Sequence, residues 1–95
     1  MLPARPLHVT LLTQAHCAFC DQAKEILPRL STEYPLTVTT VDLASPAGQA
    51  LALHGGVLFP PGLFLADEAF SYGRLSERKL RRELDRRLGS ARGAR

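Results

Sequence analysis

Cys17-Ala18-Phe19-Cys20 is the stretch that decides the fold, because two cysteines two residues apart follow the apolar run Val9-Thr10-Leu11-Leu12 and open a helical pattern. A cysteine pair in that setting indicates a redox dithiol. Unpaired backbone N–H groups and the positive end of the helix dipole stabilise a thiolate at a helix N-terminus. We therefore predict that Cys17 is the nucleophile and that Cys20, one turn on and on the same helix face, is the resolving thiol.

Two neighbours of the cysteines are candidate site residues. His16 precedes Cys17, and its cationic form would favour the thiolate further. Phe19 is interpreted either as an apolar docking face beside the sulfurs or as a partly buried core residue. An alternative interpretation makes zinc ligands of Cys17, Cys20, His16 and His54, but the second ligand pair that structural zinc usually needs is missing. The least functional alternative is two buried, inert cysteines.

The chain of 95 residues is predicted to form one domain over residues 1–89, followed by a basic flexible tail over residues 90–95. Hydrophobic residues make up 45% and charged residues 22%, a balance typical of a soluble globule and not of a disordered or membrane protein. Neither a membrane span nor a secretory signal is recognisable, so we expect a cytoplasmic location. In that compartment two cysteines favour a reversible redox pair or a metal site over a structural disulfide.

Basic residues concentrate at the C-terminal end of the chain. Residues 74–95 hold nine basic and three acidic side chains, whereas residues 1–73 hold three basic and six acidic ones. Glu77, Glu83 and Asp85 are interleaved with the basic residues, so the pattern predicts a solvated, ion-paired helix face and not a nucleic-acid-binding surface.

The first half of the chain predicts a strand, a helix and a second strand. The first strand covers His8–Thr13 and is expected to be buried on both faces. A helix starts at Cys17, and its apolar positions recur at helical spacing. Pro28 removes one helical hydrogen bond, so we expect a kink or an early end near residue 27. The second strand covers Leu36–Val41.

The second half predicts a short helix, a hairpin and a last helix. Ser45 caps the short helix, which Gly55-Gly56 ends. The hairpin joins Leu63–Ala66 to Ala69–Tyr72 through a turn at Asp67-Glu68. The last helix is capped by Ser76 and ended by Gly89. The order β-α-β-α-β-β-α predicts an α/β protein with a four-stranded mixed sheet flanked by helices.

Over about residues 7–88 the chain resembles the thioredoxin fold, and in size it is similar to the glutaredoxins of that superfamily. The shared marks are the Cys-x-x-Cys after the first strand and a proline before the third strand, which is cis in the family. Pro61 of Pro60-Pro61-Gly62 is assigned to that position, because assigning Pro60 would put glycine inside the strand. The resemblance implies a disulfide oxidoreductase without a bound cofactor. It would act on disulfide-containing proteins and take electrons from an external thiol reductant such as thioredoxin reductase or glutathione.

The departures from the family pattern concern substrate binding. Glutaredoxins usually carry a lysine where this chain has Gln14, and a second glycine where it has Arg74. Thioredoxins keep a buried aspartate where Leu11 stands. Pro60 has no N–H to offer a substrate peptide or glutathione. We therefore expect weak glutathione binding.

The predicted substrate-binding residues are His16, Phe19, Pro60, Pro61 and Arg74. The alternative function is a redox-sensing or protein-binding module without general reductase turnover.

Overall fold

The computed structural model describes residues 5–89, within which seven elements follow the predicted order. Their bounds are β1 (Leu7–Thr13), α1 (Ala18–Ser31), β2 (Leu36–Asp42), α2 (Pro46–Gly55), β3 (Gly62–Leu65), β4 (Glu68–Tyr72) and α3 (Glu77–Leu88). The predicted tail over residues 90–95 lies outside the described residues. No helix over residues 5–89 is long and apolar enough to cross a membrane.

The four strands form one mixed sheet, as predicted, and their order in the sheet is β2-β1-β3-β4. β1 and β2 are parallel, and β3 is antiparallel to both of its neighbours. Leu12 pairs with Gly62, which in turn pairs with Tyr72. The carboxyl end of β1, the start of β3 and the end of β4 therefore meet at one end of the sheet, which we call the Thr13 end after the last residue of β1.

The main apolar cluster lies between one face of the sheet and the helices α1 and α3. Val9 and Leu11 of β1 enter it together with buried residues of both helices, among them Ala23, Leu27, Leu30, Leu80 and Leu84. Leu12 and Phe64 are buried on the other face, where a Cβ on Gly55 of α2 would touch the Phe64 ring. Burial of β1 on both faces is confirmed from Leu11 to Thr13, whereas His8 at its start is exposed.

Of the two outcomes predicted at Pro28, a kink or an early end, the early end is wrong, since α1 passes Pro28 and continues to Ser31. Proline removes only one helical hydrogen bond there, close to the end of the helix. Leu27 and Leu30, on either side of it, are 2% and 0% exposed. Burial of two leucines stabilises the last turn by more than one lost hydrogen bond costs.

The hairpin turn lies one residue earlier than predicted. Leu65 pairs with Glu68, so Ala66 and Asp67 form the turn, and Ala66 belongs to the turn and not to β3. Ala66 has a φ of 55°, because two-residue hairpin turns need positive φ to match the twist of the strands. The Ala66 N–H donates to the His8 carbonyl at 2.8 Å, so pairing with β1 holds the turn in this register.

Helix caps follow the sequence signals. Ser45 and Ser76 accept hydrogen bonds from the backbone N–H groups of Gly48 and Lys79. Gly56 ends α2 in the left-handed conformation, with a φ of 67°. Gly89 follows the last residue of α3, as predicted.

Ion pairing along α3 is confirmed for two of the three predicted acids. Glu77 pairs with Arg29 of α1 at 3.0 Å and with Arg81 at 3.3 Å. Hydrogen bonds from Arg86 and then Arg87 lower the pKa of the Glu83 carboxyl to about 2. The basic residues of α3 are thus partly used in ion pairs within the chain.

The third acid, Asp85, accepts a hydrogen bond from the Tyr34 hydroxyl at 2.6 Å. Tyr34 follows α1 and is 4% exposed. Its burial, and then the hydrogen bond and charge of Asp85, raise the pKa of the phenol above its ordinary value. This bond ties the end of α1 to the end of α3.

Replacing Gly48 with alanine tests how closely α2 packs on the end of β2. A Cβ at this buried position would overlap the backbone carbonyl of Asp42, so Gly48→Ala is expected to lower the free energy of unfolding by about 2 kcal/mol or more. Helix propensity alone predicts a gain of about 1 kcal/mol. Denaturant unfolding measures the difference, and Ala50→Gly at an exposed position of the same helix calibrates the propensity effect. Greater stability of Gly48→Ala would contradict the packing.

Tyr34→Phe tests the link between α1 and α3. Loss of the Tyr34–Asp85 hydrogen bond is expected to lower the free energy of unfolding by about 1 kcal/mol at neutral pH. Because the phenol pKa is raised in the folded state, its stabilisation is complete below the unfolded pKa near 10 and is lost as the pH rises through the folded pKa. Urea unfolding from pH 8 to 11 should therefore show a shallower alkaline decline for Tyr34→Phe than for the parent. The exposed-tyrosine control Tyr72→Phe should keep the parent's decline, and an equal decline in Tyr34→Phe would rule out the link.

Candidate redox site

The loop after β1 delivers Cys17 to the start of α1. His16 has a φ of 56°, a left-handed conformation that turns the chain after the strand. Cys17 then takes an extended conformation, with φ −126° and ψ 107°, as the N-cap of α1. Its Sγ accepts a hydrogen bond from the Cys20 N–H at 3.1 Å. The sulfur thus occupies the place where a capping oxygen usually satisfies a free N–H of the first turn.

Cys17 and Cys20 form a disulfide, with their Cα atoms 5.2 Å apart. Cys17 is half-buried, whereas Cys20 is 0% exposed and belongs to the buried stripe of α1. An incoming sulfur therefore has access to Cys17, while Cys20 lies behind it in the interior.

The proline loop before β3 lies at the same end of the sheet. The bond between Pro60 and Pro61 is cis, as predicted. The reason given for choosing Pro61 was wrong, because Gly62 is the first residue of β3 and does not precede the strand. Pro61 is buried, and its carbonyl accepts a hydrogen bond from the Gly73 N–H at 2.8 Å. Gly62, the next residue, pairs with Leu12 of β1. The proline loop and the loop after β4 are thereby joined at the Thr13 end of the sheet, where α1 also begins.

Phe59 is a candidate site residue that the sequence analysis missed. It is 51% exposed, and its ring meets Tyr72 edge-on with centroids 5.2 Å apart. The ring also covers Gly73, where a Cβ would come within 2.8 Å of it. The apolar run Val57-Leu58-Phe59 directly before the prolines was the available signal.

Several apolar side chains are exposed at the Thr13 end of the sheet or next to the proline loop. Leu58 is 76% exposed and Phe19 is 43% exposed. Of the two interpretations of Phe19, this exposure favours the apolar docking face.

The structure places the other predicted residues at the surface. His16 and Arg74 are exposed and Pro60 is half-buried. Arg74 lines a polar cavity of about 450 Å³ between α1 and the start of α3, together with Gln22, Glu25 and Arg78. Neither cysteine lines this cavity.

The described part of the chain holds no set of metal ligands. Over residues 5–89, no three His, Cys, Asp or Glu side chains gather closely enough to hold a metal ion. His54 lies in the last turn of α2 and is exposed. The zinc alternative therefore lacks the cluster it requires.

Comparisons with known proteins agree with this architecture. Among solved structures, a thioredoxin mutant from Halobacterium salinarum NRC-1 superposes with a TM-score of 0.66 at 21% identity, covering 86% of this chain and 74% of that one. Glutaredoxin 1 from Francisella tularensis, complexed with cacodylate, gives a TM-score of 0.54 at 19% identity, covering 88% and 99%. No curated protein matches the sequence. These likenesses show the thioredoxin-like fold.

The sequence itself matches one family profile, that of the glutaredoxin-like domain (DUF836), over residues 8–85. The match includes the cysteine pair, the cis-proline loop and most of α3. With its fold and its Cys17–Cys20 disulfide, the chain belongs to the glutaredoxin-like domain (DUF836) family.

Proposed function

We propose that the protein is a thiol–disulfide oxidoreductase that reduces disulfides of other proteins. The observation that carries the proposal is the hydrogen bond from the Cys20 N–H to Cys17 Sγ at the start of α1. A sulfur held there is stabilised as thiolate by the N–H group and by the helix dipole. Cys20 is within disulfide distance of it and is fully buried.

The reaction consists of two thiol–disulfide exchanges. The Cys17 thiolate attacks one sulfur of the substrate disulfide, the substrate S–S bond breaks, and the leaving thiolate takes up a proton. The Cys20 thiol then loses its proton and attacks Cys17 Sγ, which releases the second substrate thiol. Two electrons have passed to the substrate, and the protein is left with the Cys17–Cys20 disulfide that the structure contains. An external dithiol, or two molecules of glutathione, returns the protein to the reduced form.

Exposed apolar residues of α1 and of the segment before the prolines support a protein substrate over glutathione. Phe19, Leu58 and Phe59 expose apolar area that suits a protein surface. Gln14 brings no positive charge, and Pro60 cannot donate a backbone hydrogen bond. A reductase or another protein dithiol is accordingly the proposed electron donor, and Arg74 is the proposed partner for a substrate carboxylate. The cytoplasm, where thiols are kept reduced, is the compartment that suits this role.

A redox-sensing or protein-binding module is the second candidate function. The missing N–H of Pro60 favours it, because one half of the backbone recognition of an extended substrate is absent. Reduction of insulin distinguishes the two candidates when it is run separately with thioredoxin reductase and with glutathione plus glutathione reductase. Turnover with either donor supports the oxidoreductase, and a dithiol that cycles without turnover supports the sensor.

Single cysteine variants test the division of roles. Cys20→Ser should accumulate a mixed disulfide between Cys17 and a substrate protein, because the attacking thiol remains and the resolving thiol is gone. Cys17→Ser should accumulate none, since Cys20 is 0% exposed. Non-reducing electrophoresis after incubation with a disulfide-containing protein such as insulin measures both. Equal trapping by the two variants would show that the roles are wrongly assigned.

Glutathione dependence tests the choice of electron donor. Two lost hydrogen bonds to a polar ligand weaken binding roughly a hundredfold, so turnover of a glutathionylated peptide with glutathione alone should be slow. If Arg74 compensates by binding a glutathione carboxylate, Arg74→Ala should raise KM for that peptide while Arg78→Ala, in the same cavity, changes it little. Efficient turnover by the parent protein would refute the preference for a protein donor.

A further inference from the structure

Thr13 has a buried hydroxyl without a hydrogen-bond partner. Thr13 is 6% exposed. Among the buried side-chain oxygen and nitrogen atoms of residues 5–89, its Oγ1 is the one that makes no hydrogen bond. Leaving a buried hydroxyl unpaired costs free energy, so folded proteins rarely keep one. The reaction proposed above does not use this hydroxyl.

The topology of β1 and α1 puts Thr13 and Cys20 at the same end of the space between the strand and the helix. Side chains alternate along a strand, so Thr13 points to the face of the sheet that Val9 and Leu11 share with α1. α1 connects two parallel strands and therefore runs back across β1, which places its first turn over the carboxyl end of that strand.

The first turn of α1 brings Cys20 into this interior. Cys20 is 0% exposed and heads the buried stripe of the helix. It precedes Ala23, a member of the apolar cluster that contains Leu11, by one turn of the helix, so it continues the buried stripe of α1 toward the helix start. Thr13, two residues beyond Leu11 along β1, is the buried polar residue of this region.

The Cys20 sulfur changes its hydrogen-bonding capacity with the redox state. In the disulfide it carries no proton and is a weak acceptor. When the disulfide opens, Cys20 becomes a thiol, which both donates and accepts, or a thiolate, which accepts strongly. Leu11, two residues before Thr13 on the same face of β1, has no polar group that could bond the Cys20 sulfur.

We propose that Thr13 is a positioning residue for Cys20, whose sulfur its hydroxyl hydrogen-bonds only when the Cys17–Cys20 disulfide is open. The hydroxyl is without a partner in the disulfide form and gains one in the mixed disulfide and in the dithiol. It therefore favours the reduced protein in the exchange in which the protein disulfide and two glutathione molecules give the protein dithiol and one glutathione disulfide. The inference builds on the proposed function through the opening and closing of this bond.

The equilibrium constant of that exchange, measured at pH 7 by trapping the thiols in glutathione buffers, tests the proposal. Thr13→Val removes the hydroxyl and keeps the side-chain shape, and is expected to shift the equilibrium about fivefold to tenfold toward the disulfide. The reduction potential then falls by about 20 to 30 mV. Thr13→Ser keeps the hydroxyl and should stay near the parent value. Thr10→Val, on the same strand with its side chain toward the opposite face, should not change it.

Unfolding of the oxidised and the reduced forms gives an independent measurement. Thr13→Val should stabilise the oxidised form, in which the hydroxyl is unpaired, and destabilise the reduced form, in which it is bonded. The difference between the two changes in the free energy of unfolding should equal the free energy of the shift in the exchange equilibrium. Thr13→Ala serves in its place if Thr13→Val does not fold. An unchanged potential, a shift shared by Thr13→Ser, or equal effects on both forms would overturn the proposal.

This experiment separates the proposal from the proposed function. The exchange equilibrium needs no protein substrate, so it is measurable in a protein that reduces none. A shifted potential in Thr13→Val together with no insulin reduction by the parent would refute the oxidoreductase and keep the role of Thr13.

Discussion

The packing of α1 against β1 is the contact on which the rest of the structure depends. The buried stripe of α1 begins at Cys20 and continues through Ala23, Leu27 and Leu30, and it meets Val9 and Leu11 of the strand. This burial determines the rotation of the helix about its axis. Because Cys20 belongs to the stripe, its sulfur is held inside, while Cys17, at the N-cap, stays accessible at the rim. The apolar contact thus gives the two chemically identical residues different environments.

Apolar side chains are exposed where the proline loop meets the end of β4 and the loop that follows it. Gly73 joins them, because its N–H binds the Pro61 carbonyl and its missing side chain admits the Phe59 ring. Phe59 and Tyr72 support each other edge-on and remain 51% and 40% exposed. These contacts leave an apolar surface exposed to solvent, and this surface supports the proposal of a protein substrate.

Charged side chains contribute to the contact between α1 and α3. Arg29 of α1 pairs with Glu77 of α3, which also pairs with Arg81 within its own helix. The Tyr34 hydroxyl donates a hydrogen bond to Asp85. Exposed ion pairs contribute only about 0 to 1 kcal/mol each, so the buried Leu80 and Leu84 supply most of the attachment of α3. The buried leucines therefore also set which face of α3 turns toward the core. Some of the basic residues of the C-terminal region are used in these ion pairs.

The sequence alone determined the order of the elements, the caps at Ser45 and Ser76, and the cysteine pair at a helix start, because each depends on residues within a few positions of one another. Only the tertiary structure decided the course of the chain at Pro28, the turn at Ala66, the exposure of Phe59 and the isolation of the Thr13 hydroxyl. Each of these depends on neighbours distant in sequence. Burial of Leu27 and Leu30 outweighs one hydrogen bond, pairing of β3 with β1 sets the turn, and the partners that a buried oxygen lacks are visible only once the interior is assembled.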